Sequence, residues 1–281
     1  MKKTEKIRGV VAVILSFLLC ICIFGCSVLL VLRVTALNPS YAKGTLVKSG
    51  FGEKKISELK TQLVSYGNAC NIGGDFFDGF FESVLTVDFV EKDVSDYYTL
   101  LYSDKNAKPD SSRFEQALKP ALVTYAEQNG YNDESLDEDL NVITGEMGEI
   151  YSNILSLPAS STVYTLIARL TRYVNLALIA AAAGAAVLTL MIVFMFKPKV
   201  HSVRHLVYAF SGAFLMLLVC PLYVRVAGII GKVNIVSAAL YSFVVTFGNG
   251  VLNALLIASG ICLAFTVIFA VVYKKLSKAE E

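Results

Sequence analysis

The sequence predicts an all-α membrane protein: four transmembrane helices, with a helical extracytoplasmic domain inserted between spans one and two. Three observations carry this reading. Long apolar runs without charge recur along the chain, the charges separate into an acidic middle and basic flanks, and no segment alternates long enough to argue a sheet. Of 281 residues, 55% are hydrophobic and mean hydropathy is +0.60, outside the range of an ordinary soluble domain. Residues 36–172 hold 20 Asp/Glu and 12 Lys/Arg, a net of −8; the remainder holds 3 Asp/Glu and 13 Lys/Arg, a net of +10. An acidic block between basic segments points to two compartments and argues against a nucleic-acid surface.

The chain begins with a basic tail (1–8) that carries Lys2, Lys3, Lys6 and Arg8, and no charge follows until Arg33. That apolar run exceeds the roughly 7–15 residues of a signal h-region, so 9–35 reads as an uncleaved first span. Ile23-Phe24-Gly25-Cys26 resembles a lipoprotein cleavage box, but Ser27-Val28-Leu29-Leu30 continues the apolar run where such a sequence turns polar.

Residues 36–172 read as one compact helical domain. Ile56, Leu59, Leu63 and Val64 form an apolar stripe that ends near Gly67-Asn68. Four Phe surround Gly79 in Asp75–Leu85, a dense contribution to a core. Thr86 is placed to cap a helix through about Tyr102, with Phe89, Val90, Tyr97, Leu100 and Leu101 buried. A further helix from near Ser111 to Gln128 is expected to bend or start late at Pro120. Ser135 and Glu138 have capping-box spacing ahead of Leu140, Ile143, Met147, Ile150, Tyr151 and Ile154, and Pro158 should break that helix. Cys70 is the only cysteine of this block, which therefore has no internal disulfide partner. It also has no usable sequon, since Pro39 follows Asn38; both absences suit a bacterial surface better than an animal secretory route.

From Ser160 to Phe196 the chain reads as one continuous helix that packs in an aqueous domain at its start and spans a membrane over 173–196. Those 24 charge-free residues reach about 36 Å, more than a hydrocarbon core of about 30 Å. A basic loop (197–205) follows, then a third span (206–224) with Pro221 near its far end. From Val233 to Tyr273 no charge appears, and Gly248-Asn249-Gly250 is expected to divide this run. The division leaves an outer interfacial or re-entrant segment (225–249), a fourth span (250–273) and a basic tail (274–281). The three short basic segments place both termini and the 197–205 loop in the cytoplasm of a plasma-membrane protein. With no Trp in the chain, the aromatic belt falls to Tyr173, Tyr208, Tyr223, Tyr241 and Tyr273.

Chemistry-bearing residues are sparse. His201 and His205 stand at i, i+4 but have no neighbouring Cys, Asp or Glu to complete a metal site. They read instead, with Lys197, Lys199 and Arg204, as a basic contact surface for headgroups or a cytoplasmic partner. The acidic run Asp133–Asp139 misses the calcium-loop template at Val142 and Gly148, and reads as a solvated helix start. Glu146 and Glu149 share a helix face without a nucleophile or His beside them. No metal, cofactor or catalytic residue is assigned, and the chain is expected not to be an enzyme. Arg225, with Pro221, is the candidate polar site in the membrane, by snorkelling or by lining a cavity. The small residues Ala182, Gly184 and Ala186 of the Ala180–Ala186 run mark a candidate helix-packing surface, within the bundle or in a homo-oligomer.

The sequence thus points to a non-enzymatic membrane protein whose outer domain binds a partner or ligand and couples it to the bundle. Its expected partners are the lipid bilayer and a protein in the membrane or outside. The alternative is a transport-complex subunit or lipid-handling protein with a cavity near Arg225.

Overall fold

The computed structural model describes residues 2–131, 136–196 and 199–280. Among these the chain is entirely helical, without strands. In order the helices are α1 (Lys2–Val34), α2 (Pro39–Lys48), α3 (Phe51–Ala69), α4 (Gly74–Ser83), α5 (Val87–Leu100), α6 (Ser112–Gln128), α7 (Leu136–Leu155), α8 (Ser160–Met195), α9 (Lys199–Val226) and α10 (Ala238–Glu280). Four stretches are long and apolar enough to cross a membrane: Ile7–Val34, Ser160–Met195, Val200–Lys232 and Ala238–Ala279. The fold divides into two compact units, one of residues 39–168 and 234–246, the other of 1–38, 169–233 and 247–281.

The first unit is built from α2–α7, the start of α8 and the start of α10. Its core follows the sequence stripes closely. Leu59 and Leu63 of α3, Val90 and Tyr97 of α5, and Met147 and Tyr151 of α7 are buried, with Ile56, Val64 and Phe89 packed at the edge. Leu100, expected inside, is exposed because α5 ends there, whereas Leu101 one position on turns inward. Thr86 caps α5 as its position suggests, its Oγ1 accepting from Phe89 N at 3.4 Å. The phenylalanine-rich stretch forms α4, which buries Phe77 and Phe80. Phe80 lies edge-on to Phe114, and Phe114 stacks on Tyr151 at 4.5 Å and 3°. Helix α6 starts at Ser112 and passes through Pro120, which sits on its exposed side. The late start expected at that proline does not occur, because an exposed backbone carbonyl that loses its helical partner can be solvated. Ser135 of the expected capping box lies outside the described residues, as do Asp133 and Glu134.

The second unit holds α1, α9 and the long apolar parts of α8 and α10. Helices α1 and α9 form its tightest seam, with Leu15, Leu19 and Cys20 of α1 against Leu206, Ala209, Ala213 and Leu217 of α9. Ile192 of α8 and Cys262 of α10 complete that core.

Helix α10 corrects the division expected at Gly248-Asn249-Gly250. It runs without interruption for 43 residues, about 64 Å at 1.5 Å per residue. Residues up to 246, including Tyr241 of the expected aromatic belt, belong to the first unit. The two glycines cost the helix about 1 kcal/mol each relative to Ala, which packing on either side outweighs. Ala159, between α7 and α8, adopts the left-handed region (φ 58°), unusual for a residue with a Cβ.

Candidate functional site

The start of α10 is locked into the helical unit by contacts of three kinds. Ser237 caps the helix, accepting from Leu240 N at 3.3 Å, and donates its hydroxyl to Glu58 Oε1 at 2.8 Å. Glu58 is itself tied through Oε2 to the Lys55 ammonium at 2.6 Å. Lys55 is only 7% exposed, so its charge is tolerated through that carboxylate and the Phe51 ring 5.7 Å away. Two residues later Ala239 is completely buried, and one turn beyond it Phe243 packs edge-on against Phe51 and Tyr98 at 6.3 and 5.6 Å. Ser242 then donates to the Ser49 carbonyl at 2.8 Å. Tyr98, at the centre of this cluster, has no hydrogen-bond partner for its hydroxyl among the described residues. Burial, with Tyr97 alongside, drives its pKa far above the usual tyrosine value.

A second polar grouping fastens α5, α6 and α7. Arg113 donates to Asp93 Oδ1 at 2.8 Å and lies over the Phe89 ring at 3.7 Å, while Tyr151 donates to Asp93 Oδ2 at 2.7 Å. Burial first, and the Asp93 carboxylate second, raise the Tyr151 pKa well above its ordinary value. This triad is satisfied within itself and offers no free nucleophile.

Arg225 is exposed and donates from Nη2 to Asn253 Oδ1 of α10 at 2.7 Å, one helical turn past the buried Pro221. A like pair joins α1 and α8, Arg33 donating to Asn175. Sequence reasoning passed over both asparagines. Their signal was an isolated carboxamide inside an otherwise uncharged apolar run, where a polar side chain needs a partner on another helix.

The small-residue run of α8 is only partly packed within the chain. Ala182 and Ala186 are exposed; Gly184 is half-buried near Cys22, and Ala185 and Leu188 are the residues of this stretch that pack against the core. The close approach occurs instead at Gly212 of α9, where an added Cβ would stand 2.8 Å from Cys20 Sγ.

Of the basic residues, Lys197 and the side chain of Lys199 lie outside the described residues, and His201 and Arg204 are exposed. His205 departs from the expected contact surface: it is 3% exposed, inside the α1–α9 seam. Its Nδ1 lies 3.1 Å from Ser16 Oγ, and it stacks on Phe196 at 5.5 Å. Ser16 already donates its one hydroxyl hydrogen to the Ala12 carbonyl at 2.7 Å, which makes the His205 Nδ1–H the donor.

Among the described residues no cluster of three His, Cys, Asp or Glu side chains is placed to hold a metal ion. In the acidic run, Asp137 pairs with Lys119 at 3.2 Å at the start of α7. Glu146 and Glu149 are both exposed. Comparison of the chain with protein-family models, with curated proteins and with solved structures returns no match.

Proposed function

We propose that this is a four-span plasma-membrane protein with both termini cytoplasmic, whose helical unit stands outside, binds a ligand or protein partner, and transmits its state to the bundle without catalysis. The observation that supports this most is α10. One unbroken helix has its first turns pinned in the core of the helical unit and its remainder in the apolar unit. Helix α8 is divided between the units in the same way, at residues 168 and 169. A displacement of the helical unit would therefore travel along two helices, which resist bending far more than loops do. On the inner side, the basic 197–205 loop is the surface that a second protein would meet to carry an effect inward.

The test is sidedness together with partner recovery. A chain with Cys70 as its only cysteine should react with a membrane-impermeant thiol reagent on intact cells, and crosslinking of the same membranes should return a protein partner. A Cys70 that stays unlabelled even after the unit is unfolded would refute the orientation. The transport or lipid-handling alternative draws its support from the Arg225–Asn253 pair on neighbouring apolar helices. Lipid or solute bound beside Arg225 would favour it.

A further inference from the structure

We propose that the cleft at the corner between α7 and α8 is the ligand site of the helical unit, and that it takes a small zwitterion, a free amino acid or dipeptide, whose carboxylate meets Lys108 and whose ammonium meets Glu149. The cleft holds about 570 Å³, within the range of small-molecule sites. One wall is the connection before α6, with Lys108 and Ser111; the other is the last two turns of α7, with Glu149, Ser152 and Asn153; Ser160 opens α8 at its end. The spacing of Glu149, Ser152 and Asn153 puts all three on one face of α7, with Ser156 just past its end.

The walls are held in place by bonds that leave the binding groups free. Ser152 donates to the Pro109 carbonyl at 3.1 Å and ties the connection to α7. Leu157 N donates to the Tyr97 hydroxyl at 3.1 Å and ties down the corner. By contrast, the Lys108 ammonium, the Glu149 carboxylate, the Asn153 carboxamide and the Ser160 hydroxyl have no hydrogen-bond or ion-pair partner among the described residues. Their chemistry selects the ligand by exclusion. A polyanion would meet one cation and be repelled by Glu149, and a divalent metal would find a single carboxylate where it needs six or more oxygens. An apolar solute would strip water from Ser, Asn, Lys and Glu side chains without replacing it. A molecule with one charge of each sign gives both Lys108 and Glu149 a counter-charge. The left-handed Ala159, costing about 1–3 kcal/mol, lies at this same corner, and such backbone outliers cluster at ligand sites.

This inference deepens the reading above, on which it rests for the side from which the ligand arrives; binding itself does not depend on coupling to the bundle. The experiment is calorimetric titration of the full chain in detergent micelles with the free amino acids and with alanyl-alanine. At least one should bind saturably, and Lys108→Met and Glu149→Gln should each weaken it tenfold or more. Amidating the probe's carboxylate should cost affinity in the wild type but not in Lys108→Met; acetylating its amine should behave likewise for Glu149→Gln. Both side chains are exposed, so an unchanged helical circular dichroism spectrum establishes that the variants fold. Absence of saturable binding by every probe overturns the proposal, as does binding that neither substitution alters. Glucose that binds as well as the best zwitterion, and equally to all three chains, overturns it too. Binding that leaves thiol labelling at Ala186→Cys in the bundle unchanged supports the cleft and counts against transmission, which separates the two ideas.

Discussion

Replacing Phe243 by Ala should loosen the start of α10 from the helical unit by a measurable amount. The ring is half-buried and touches Phe51 and Tyr98 edge-on. Full burial makes Phe→Ala worth about 3–5 kcal/mol; a half-buried ring at the edge of a core should cost about 2 kcal/mol. Every 1.4 kcal/mol is a factor of ten in an opening equilibrium, so the first turns of α10 should open about 30-fold more often. Ala239, fully buried one turn earlier, supplies the reporter. In a chain without other cysteines, Ala239→Cys should be protected from a small thiol reagent, and adding Phe243→Ala should raise its labelling rate by that factor. Labelling at Ala239→Cys as fast as at a fully exposed position would refute the docking itself. An unchanged rate in the double variant would refute the assignment of the lock to the aromatic cluster.

Three further outcomes are expected. Gly212→Ala places a methyl against Cys20 Sγ and should destabilise the α1–α9 seam by about 1–3 kcal/mol, and Cys20→Ala in the same chain should restore much of it; thermal unfolding of both chains would show no difference between them if the seam lay elsewhere. Tyr98→Phe removes a buried hydroxyl without a partner and should stabilise the helical unit by about 1 kcal/mol at neutral pH. The same residue gives a pH dependence. Unfolded tyrosines ionise near pH 10.0, whereas folded Tyr98 and Tyr151 keep their protons to higher pH. Above about pH 10 the folded chain binds more protons than the unfolded one, so stability is fully present below that pH and falls as pH rises, by about 1.4 kcal/mol per unit for each tyrosine. Chemical unfolding across pH 9–11 should show this slope, and Tyr98→Phe should remove its share; a flat profile would contradict both burials.

Much of the helical unit was legible because its core obeys local periodicity. Leu59, Leu63, Val90, Tyr97, Met147 and Tyr151 sit at helical spacing in a polar background, which is enough to fix the buried face of each helix. The candidate sites were less legible. Arg225 stood out as a lone charge, but its partner Asn253 is 28 positions away in another helix. His205 looked like part of a basic surface because its neighbours are basic; Ser16, 189 positions earlier, is what brings it inside. The groups around the α7–α8 cleft come from three separate stretches of chain, and no local pattern marks them as neighbours.

By itself the sequence determined that the chain is helical, that four stretches can cross a membrane, and that an acidic block separates the first from the second. Hydropathy and helical period are local properties, and each could be read within one window of the chain. Only the tertiary structure decided where α10 stops being part of the helical unit. Phe243, packed at the edge of a protein core, and Phe265, exposed on a helix apolar enough to cross a membrane, read alike in the sequence, because the transfer that drives either out of water is not directional. A charge-free run therefore says that residues leave water, while the packing of Ala239 and Phe243 against Phe51 and Tyr98 says what they leave it for.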